Sequence, residues 1–184
     1  MTPMSKWTLV LAYPDCILFE VIPAAQRLEP MFPVRVATPD GRTFRDDSGV
    51  TVNADCAYRE VNPDDCVCVL VPGGNPDRIA RNPDVRRIVR GVLDRGGIVA
   101  GICAGVAVLG LAGALEGRRV AHNYTAADVS ADVRAHTDPL WRDTMYAKDG
   151  ISVDAGVITA RPERYVDFAK AVSKAVRAAI ELES

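Results

Sequence analysis

Ile98-Val99-Ala100-Gly101-Ile102-Cys103-Ala104-Gly105-Val106 is the stretch on which the reading of this chain turns. Its first five residues form a short apolar run, the pattern of a strand buried on both faces. The run stops at a cysteine set between Gly101 and Gly105, and a helical pattern continues from Ala104 to Leu115. Gly-x-Cys-x-Gly at a strand-to-helix turn is the cysteine form of the nucleophile elbow, which lifts one side chain clear of the sheet edge. A thiol held there also meets a helix N-terminus, whose free amides and positive dipole end favour the thiolate. The expectation is a reactive cysteine, ionised near neutrality.

Outward from this stretch the chain alternates short apolar runs with helical patterns, which predicts βα units around a mostly parallel sheet. Trp7 to Tyr13, Pro33 to Thr38 and Cys66 to Val71 read as strands, and Val50 to Ala54 reads as an edge strand or hairpin arm. Asn82-Pro83 caps a helix that carries Val85, Ile88, Val89, Val92 and Leu93 at helical spacing and stops at Gly96-Gly97. Val166, Ala169, Val172, Val176, Ala179 and Ile180 form the stripe of a final amphipathic helix. Tyr124 to Asp149 is polar with weak periodicity and reads as a short helix and a long loop. No repeat or linker interrupts residues 1–184, so one domain is expected.

The 184 residues are 48% hydrophobic and 25% charged, enough for a full core, and the net charge of -2 gives no reason to expect nucleic acid. No apolar run approaches a membrane span, and the N-terminus lacks a signal-peptide layout, so the expected location is the cytosol. Five cysteines, at 16, 56, 66, 68 and 103, are too few and too scattered for a disulfide framework. Cys66-Val67-Cys68 points its thiols to opposite faces of a strand, and no second Cys/His pair stands at zinc spacing. Neither a metal nor a cofactor is expected.

In open parallel sheets, ligands gather at the carboxyl ends of the strands. Cys103 reaches that edge, as do Gly73-Gly74 after Val71 and Glu20 after the first strand. Glu20 sits among Leu18, Phe19, Val21 and Ile22, where burial would raise its carboxyl pKa and let it donate a hydrogen bond to a thiolate. The N–H groups of Gly74 and Ala104 are the expected oxyanion hole. His122, which follows the strand-like Arg118 to Ala121, is a candidate base, and His136 lies in the polar region. Arg161 and Arg164, after Val157-Ile158-Thr159, are candidate substrate-carboxylate ligands.

Leu9 to Pro23, Val69 to Asn75, Ile98 to Gly105 and Leu115 to Val120 fall in the order and spacing that resemble the ThiJ/PfpI superfamily, also called the DJ-one family. The similarity runs from about residue 6 to 180. It implies a flavodoxin-like sandwich, mostly parallel sheet with helices on both faces, related to class I glutamine amidotransferases and usually a homodimer. It also implies an acid–cysteine pair, which falls on Glu20 and Cys103. The branch of the DJ-one protein itself would place Phe19 at the acid position. The isonitrile-hydratase-like branch, matched through Tyr13-Pro14 and Ala25-Gln26, places Glu20 there. The family's usual histidine falls on Asn123, one residue after His122. The function implied is a cysteine-dependent enzyme acting on a small electrophilic carbon, by glyoxalase-type or isonitrile-hydratase-type chemistry. Alternatives are a redox-responsive stress or chaperone-like protein whose cysteine becomes a sulfinate, and a non-catalytic ligand-binding domain.

Overall fold

A computed structural model describes residues 6–183; the reading of the first five residues as non-signal therefore lies outside the described part. The strands are β1 (Trp7–Leu11), β2 (Val34–Thr38), β3 (Phe44–Arg45), β4 (Thr51–Val52), β5 (Cys56–Ala57), β6 (Cys66–Val71), β7 (Ile98–Ile102), β8 (Arg119–Val120), β9 (Met145–Tyr146), β10 (Ile151–Asp154) and β11 (Val157–Ala160). The helices are α1 (Ile22–Leu28), α2 (Pro83–Asp94), α3 (Gly105–Leu111), α4 (Ala131–Trp141) and α5 (Tyr165–Glu183).

Seven strands form the central sheet in the order β10-β11-β7-β6-β1-β2-β5. All neighbours are parallel except the β10–β11 hairpin. That hairpin turns on Ala155 and Gly156, both at positive φ, the pairing a two-residue turn of this hand requires. The apolar runs sit where continuous hydrophobicity puts them. Every residue of β1 and β7 is buried, as is every residue of β6 except Val67. Helices α1 and α5 pack together, α1 on β1 and α5 on β7 and β11, while α2 and α3 cover β6 and β7. The result is the flavodoxin-like sandwich expected from the sequence. No helix among the described residues is long and apolar enough to cross a membrane.

Some boundaries differ from the sequence reading. Helix α3 ends at Leu111 rather than Leu115, because Gly113 takes a left-handed conformation and Ala114 N–H bonds back to Leu109 O at 3.0 Å. On α5 the buried stripe runs through Phe168, Ala169, Val172 and Val176, whereas Val166 is exposed. Val50 to Ala54 supplies only the two-residue β4, paired antiparallel with β3. The polar stretch after Tyr124 holds α4, which buries no residue, and β9, which pairs with β8.

Candidate active site

Three loops meet at the carboxyl ends of β1, β6 and β7. After β7 the chain bends at Cys103, whose φ of 55° is the one left-handed residue of the elbow. A non-glycine residue is held there only if its surroundings over-determine it. They do so from both sides. Cys103 N–H donates to Ala160 O of β11 at 3.0 Å, and Val106 N–H returns to Cys103 O at 3.1 Å. Gly105 lies against the carbonyls of Val71 and Pro72 so closely that a Cβ would collide with both. The second glycine of the motif is therefore demanded by packing of the elbow on the end of β6.

The loop after β6 is just as tightly determined. A Cβ on Gly73 would stand 2.6 Å from Glu20 Oε2 and 2.9 Å from Cys103 Sγ, so bare backbone fills the gap between acid and sulfur. Gly73 N–H donates to Glu20 Oε2 at 2.8 Å. Behind it, the Tyr13 hydroxyl lies 2.7 Å from Gly73 O and 3.0 Å from Pro72 O, which fixes the peptide that presents this N–H. Glu20 rides on a single 3-10 turn, Leu18–Glu20, and Ile17 N–H donates to Gly73 O at 2.9 Å, tying that turn to the β6 loop.

Glu20 is 2% exposed, and its carboxyl and the Cys103 thiol are near enough to shift each other's pKa. Burial is the main force raising the Glu20 pKa, partly countered by the Gly73 amide. Burial, then the negative charge of Glu20, pushes the Cys103 thiol up to about 11; the Ala104 amide and the Asn123 carboxamide act the other way. The expected free thiolate near neutrality is thus corrected. Burial in a poorly hydrated site disfavours the charged form of both groups, and the Glu20 charge adds to this at the sulfur.

The remaining candidates fall in different places. Ala104 N–H is engaged with the sulfur, while Gly74, at φ 121°, has its N–H free of protein acceptors among the described residues. Asn123, not His122, faces the nucleophile: its Nδ2 lies 3.8 Å from Sγ, and its Oδ1 is buried without a protein partner. His122 turns into an aromatic cluster. It stacks on Trp141 at 4.2 Å, its Nδ1 accepts from Tyr124 N–H at 3.1 Å, and Tyr146 leans on it at 5.0 Å. Burial and the nearby Arg161 charge lower its pKa to about 4. The structure therefore does not bring the expected histidine base to the sulfur. The resemblance pointed the right way here, since it sets the family's histidine position on Asn123 and not on His122.

Arg161 is also already committed. Its two terminal nitrogens grip Asp128 at 2.6 and 3.0 Å, Nε donates to Glu163 at 2.7 Å, and Nη1 also reaches His122 O at 3.4 Å. Arg164 pairs with Asp167 at 3.1 Å. A substrate carboxylate would have to displace these partners, so the expected anion-binding role is not what the geometry provides. Of the other thiols, Cys66 accepts from Trp7 Nε1 at 3.0 Å, and Cys68 is fully buried.

The model of the DJ-1/PfpI family matches residues 6–175. The chain belongs to the DJ-1/PfpI family. Relatives named deglycase include one from Pyrococcus abyssi, 43% identical over 72 residues, and one from Thermococcus kodakarensis, 36% identical over 103 residues. Those matches cover 39% and 55% of this chain, and only 43% and 60% of the relatives' own lengths. Among solved structures, a DJ-1 superfamily protein from Agrobacterium tumefaciens is 25% identical with a TM-score of 0.79, covering 97% of this chain and 96% of its own. A ThiJ/PfpI domain protein from Brachyspira murdochii superposes with a TM-score of 0.80 at 21% identity, over 94% and 98% of the two chains, and shares the fold.

Proposed function

We propose that this DJ-1/PfpI family member is a cysteine-dependent enzyme in which Cys103 adds to the electrophilic carbon of a small carbonyl compound. One observation carries the reading: a buried carboxyl, held by the Gly73 amide, stands beside the thiol of a strained elbow. As sulfur bonds to the carbonyl carbon, Glu20 takes the thiol proton and the C=O electron pair moves onto oxygen. Gly74 N–H is free to meet that oxyanion, Ala104 N–H holds the sulfur, and Glu20 then returns its proton to give the hemithioacetal. With a glyoxal, Glu20 can next move a proton from the new carbinol carbon to its neighbour while the carbinol hydroxyl proton passes to the neighbour's carbonyl oxygen, leaving a thioester. Water releases the hydroxy acid and restores the thiol. The unpartnered Asn123 Oδ1 is an acceptor for the substrate hydroxyl.

The relatives named deglycase favour a carbonyl carbon over an isonitrile carbon. The same reading carries the expected location in the cytosol and the expected homodimer; exposed Phe19, Ile22 and Tyr165, with Phe19 and Tyr165 edge to face at 5.7 Å, offer an apolar face for the second copy. The test is turnover of methylglyoxal, glyoxal, an isonitrile and a peptide amide by native protein, Cys103→Ser and Glu20→Gln. The expected losses on methylglyoxal are at least ~1,000-fold for Cys103→Ser and ~100-fold for Glu20→Gln. Equal rates for native and Cys103→Ser on the whole panel would overturn the enzymatic reading. The redox alternative draws on the same pair, since a protonated Glu20 can donate to a sulfinate. A stable two-oxygen adduct on Cys103 after peroxide, with no turnover on the panel, would favour it.

A further inference from the structure

A groove of about 600 Å³ is lined by residues of the loop after Gly74, of α3 and of α4, and by none of Glu20, Gly73, Cys103 or Asn123. It is a space apart from the thiol. Ala107 and Leu111 of α3 and Val133 and Leu140 of α4 give it an apolar surface, with Leu111 and Val133 44% and 41% exposed. A space of this size lies within the range used by small-molecule sites. The polar groups of the lining decide what it can hold, and most of them can only accept. Nδ1 of His136 lies 2.7 Å from Asp132 O, a carbonyl that cannot donate, so the neutral ring carries its proton there and leaves the Nε2 lone pair open. The Thr137 hydroxyl donates to Val133 O at 3.0 Å, which leaves its oxygen with lone pairs alone. The carboxylates of Asp132, in the first turn of α4, and of Asp77, on the loop wall, have no partner among the described residues. Arg81 stands against them, also unpaired, so two carboxylates and one guanidinium leave the groove one negative charge in excess. Burial and the charges of Cys103 and Asp77 raise the Tyr124 phenol to about 12, so that part of the lining stays a neutral hydroxyl.

We propose that this groove is a second ligand site, for a small organic cation: a primary ammonium carried on an apolar body of about the size of an aromatic ring. An ammonium has three donors and no acceptor, which complements Asp77, Asp132, His136 and Thr137. Its charge answers the excess carboxylate, and its body covers the carbon of α3 and α4. An anion of the same shape would bring a like charge to two unpaired carboxylates. An uncharged one would strip water from those carboxylates and give nothing in return. The inference is independent of the chemistry at Cys103, since no residue that holds the thiol lines this space.

The experiment titrates phenethylamine, 2-phenylethanol and 3-phenylpropionate into the native chain near neutral pH, followed by amide NMR. Phenethylamine is expected to shift residues 77, 81, 107, 111, 132 and 136, and to bind about 10-fold more tightly than either of the others. Asp77→Asn and Asp132→Asn should each weaken it by about 3-fold, and raising the salt to about 0.5 M should weaken it further. Both changes keep the shape of the side chain, and a native-like amide spectrum before titration shows that each variant folds. Equal or tighter binding of the alcohol or the carboxylate, or unchanged affinity in both variants, would overturn the proposal. So would shifts centred elsewhere, or no saturable shift with phenethylamine. Concentration-dependent shifts at the same residues without ligand would mean that a second copy of the chain covers this face, which also overturns it.

Discussion

The elbow with its helix α3, and helix α4 packed on α3, are held in opposite ways. From Ile98 to Ile102 every residue is buried, and α3 is buried along most of its length. Helix α4 buries none of its residues, carries Pro139 in its interior, and packs chiefly on α3. Its last residue, Trp141, stacks on His122 at 4.2 Å. The lesson is a division of labour. Glu20 and Cys103 are fixed by close packing that admits no extra atom between them, whereas α4 is moored at one end by an aromatic stack.

That contrast can be broken at four points. Gly105→Ala should have the largest effect, about 3 kcal/mol or more in urea unfolding, because the new methyl meets two backbone carbonyls that cannot yield. A loss under 1 kcal/mol would mean that the elbow is looser than its contacts imply. Next comes His122, held neutral by burial. Between about pH 6.5 and about 4 the unfolded chain binds a proton that the folded chain refuses, so stability falls as pH drops through that window. The expected loss is up to about 3 kcal/mol. His122→Phe should keep the stack and remove this portion of the acid sensitivity; identical native and variant profiles between pH 7 and 4.5 would contradict it. Asp128→Asn, which breaks the two-pronged grip on Arg161, should cost about 1–2 kcal/mol and speed proteolysis within residues 131–141. Val133→Ala on the open side of α4 should change stability by less than ~0.5 kcal/mol. A larger loss would show that α4 is part of the cooperative core.

The same contrast explains what could be read beforehand. Strands β1, β6 and β7 are buried on both faces, so hydrophobicity alone marks them, and Gly101, Cys103 and Gly105 mark the turn because only that spacing fits it. Glu20 stood out as an acid among apolar neighbours. Helix α4 gave no such signal, since a helix that buries nothing has no stripe to detect. Arg161 looked available because its partners lie elsewhere in the chain: Asp128 is 33 residues away. The choice between His122 and Asn123 depended on a register set by the short pairing of β8 with β9, which no local pattern announces. The protonation of the pair was misjudged for a similar reason, since the depth of burial belongs to the assembled site.

The Tyr13 hydroxyl beneath the Pro72 and Gly73 carbonyls has a consequence for how such a site can diversify. It anchors the amide that grips the acid from inside the molecule, on the end of β1, leaving the outward course of residues 75–81 without a role in that anchorage. That outer loop is therefore free to change by drift or by design while the acid and the sulfur keep their setting.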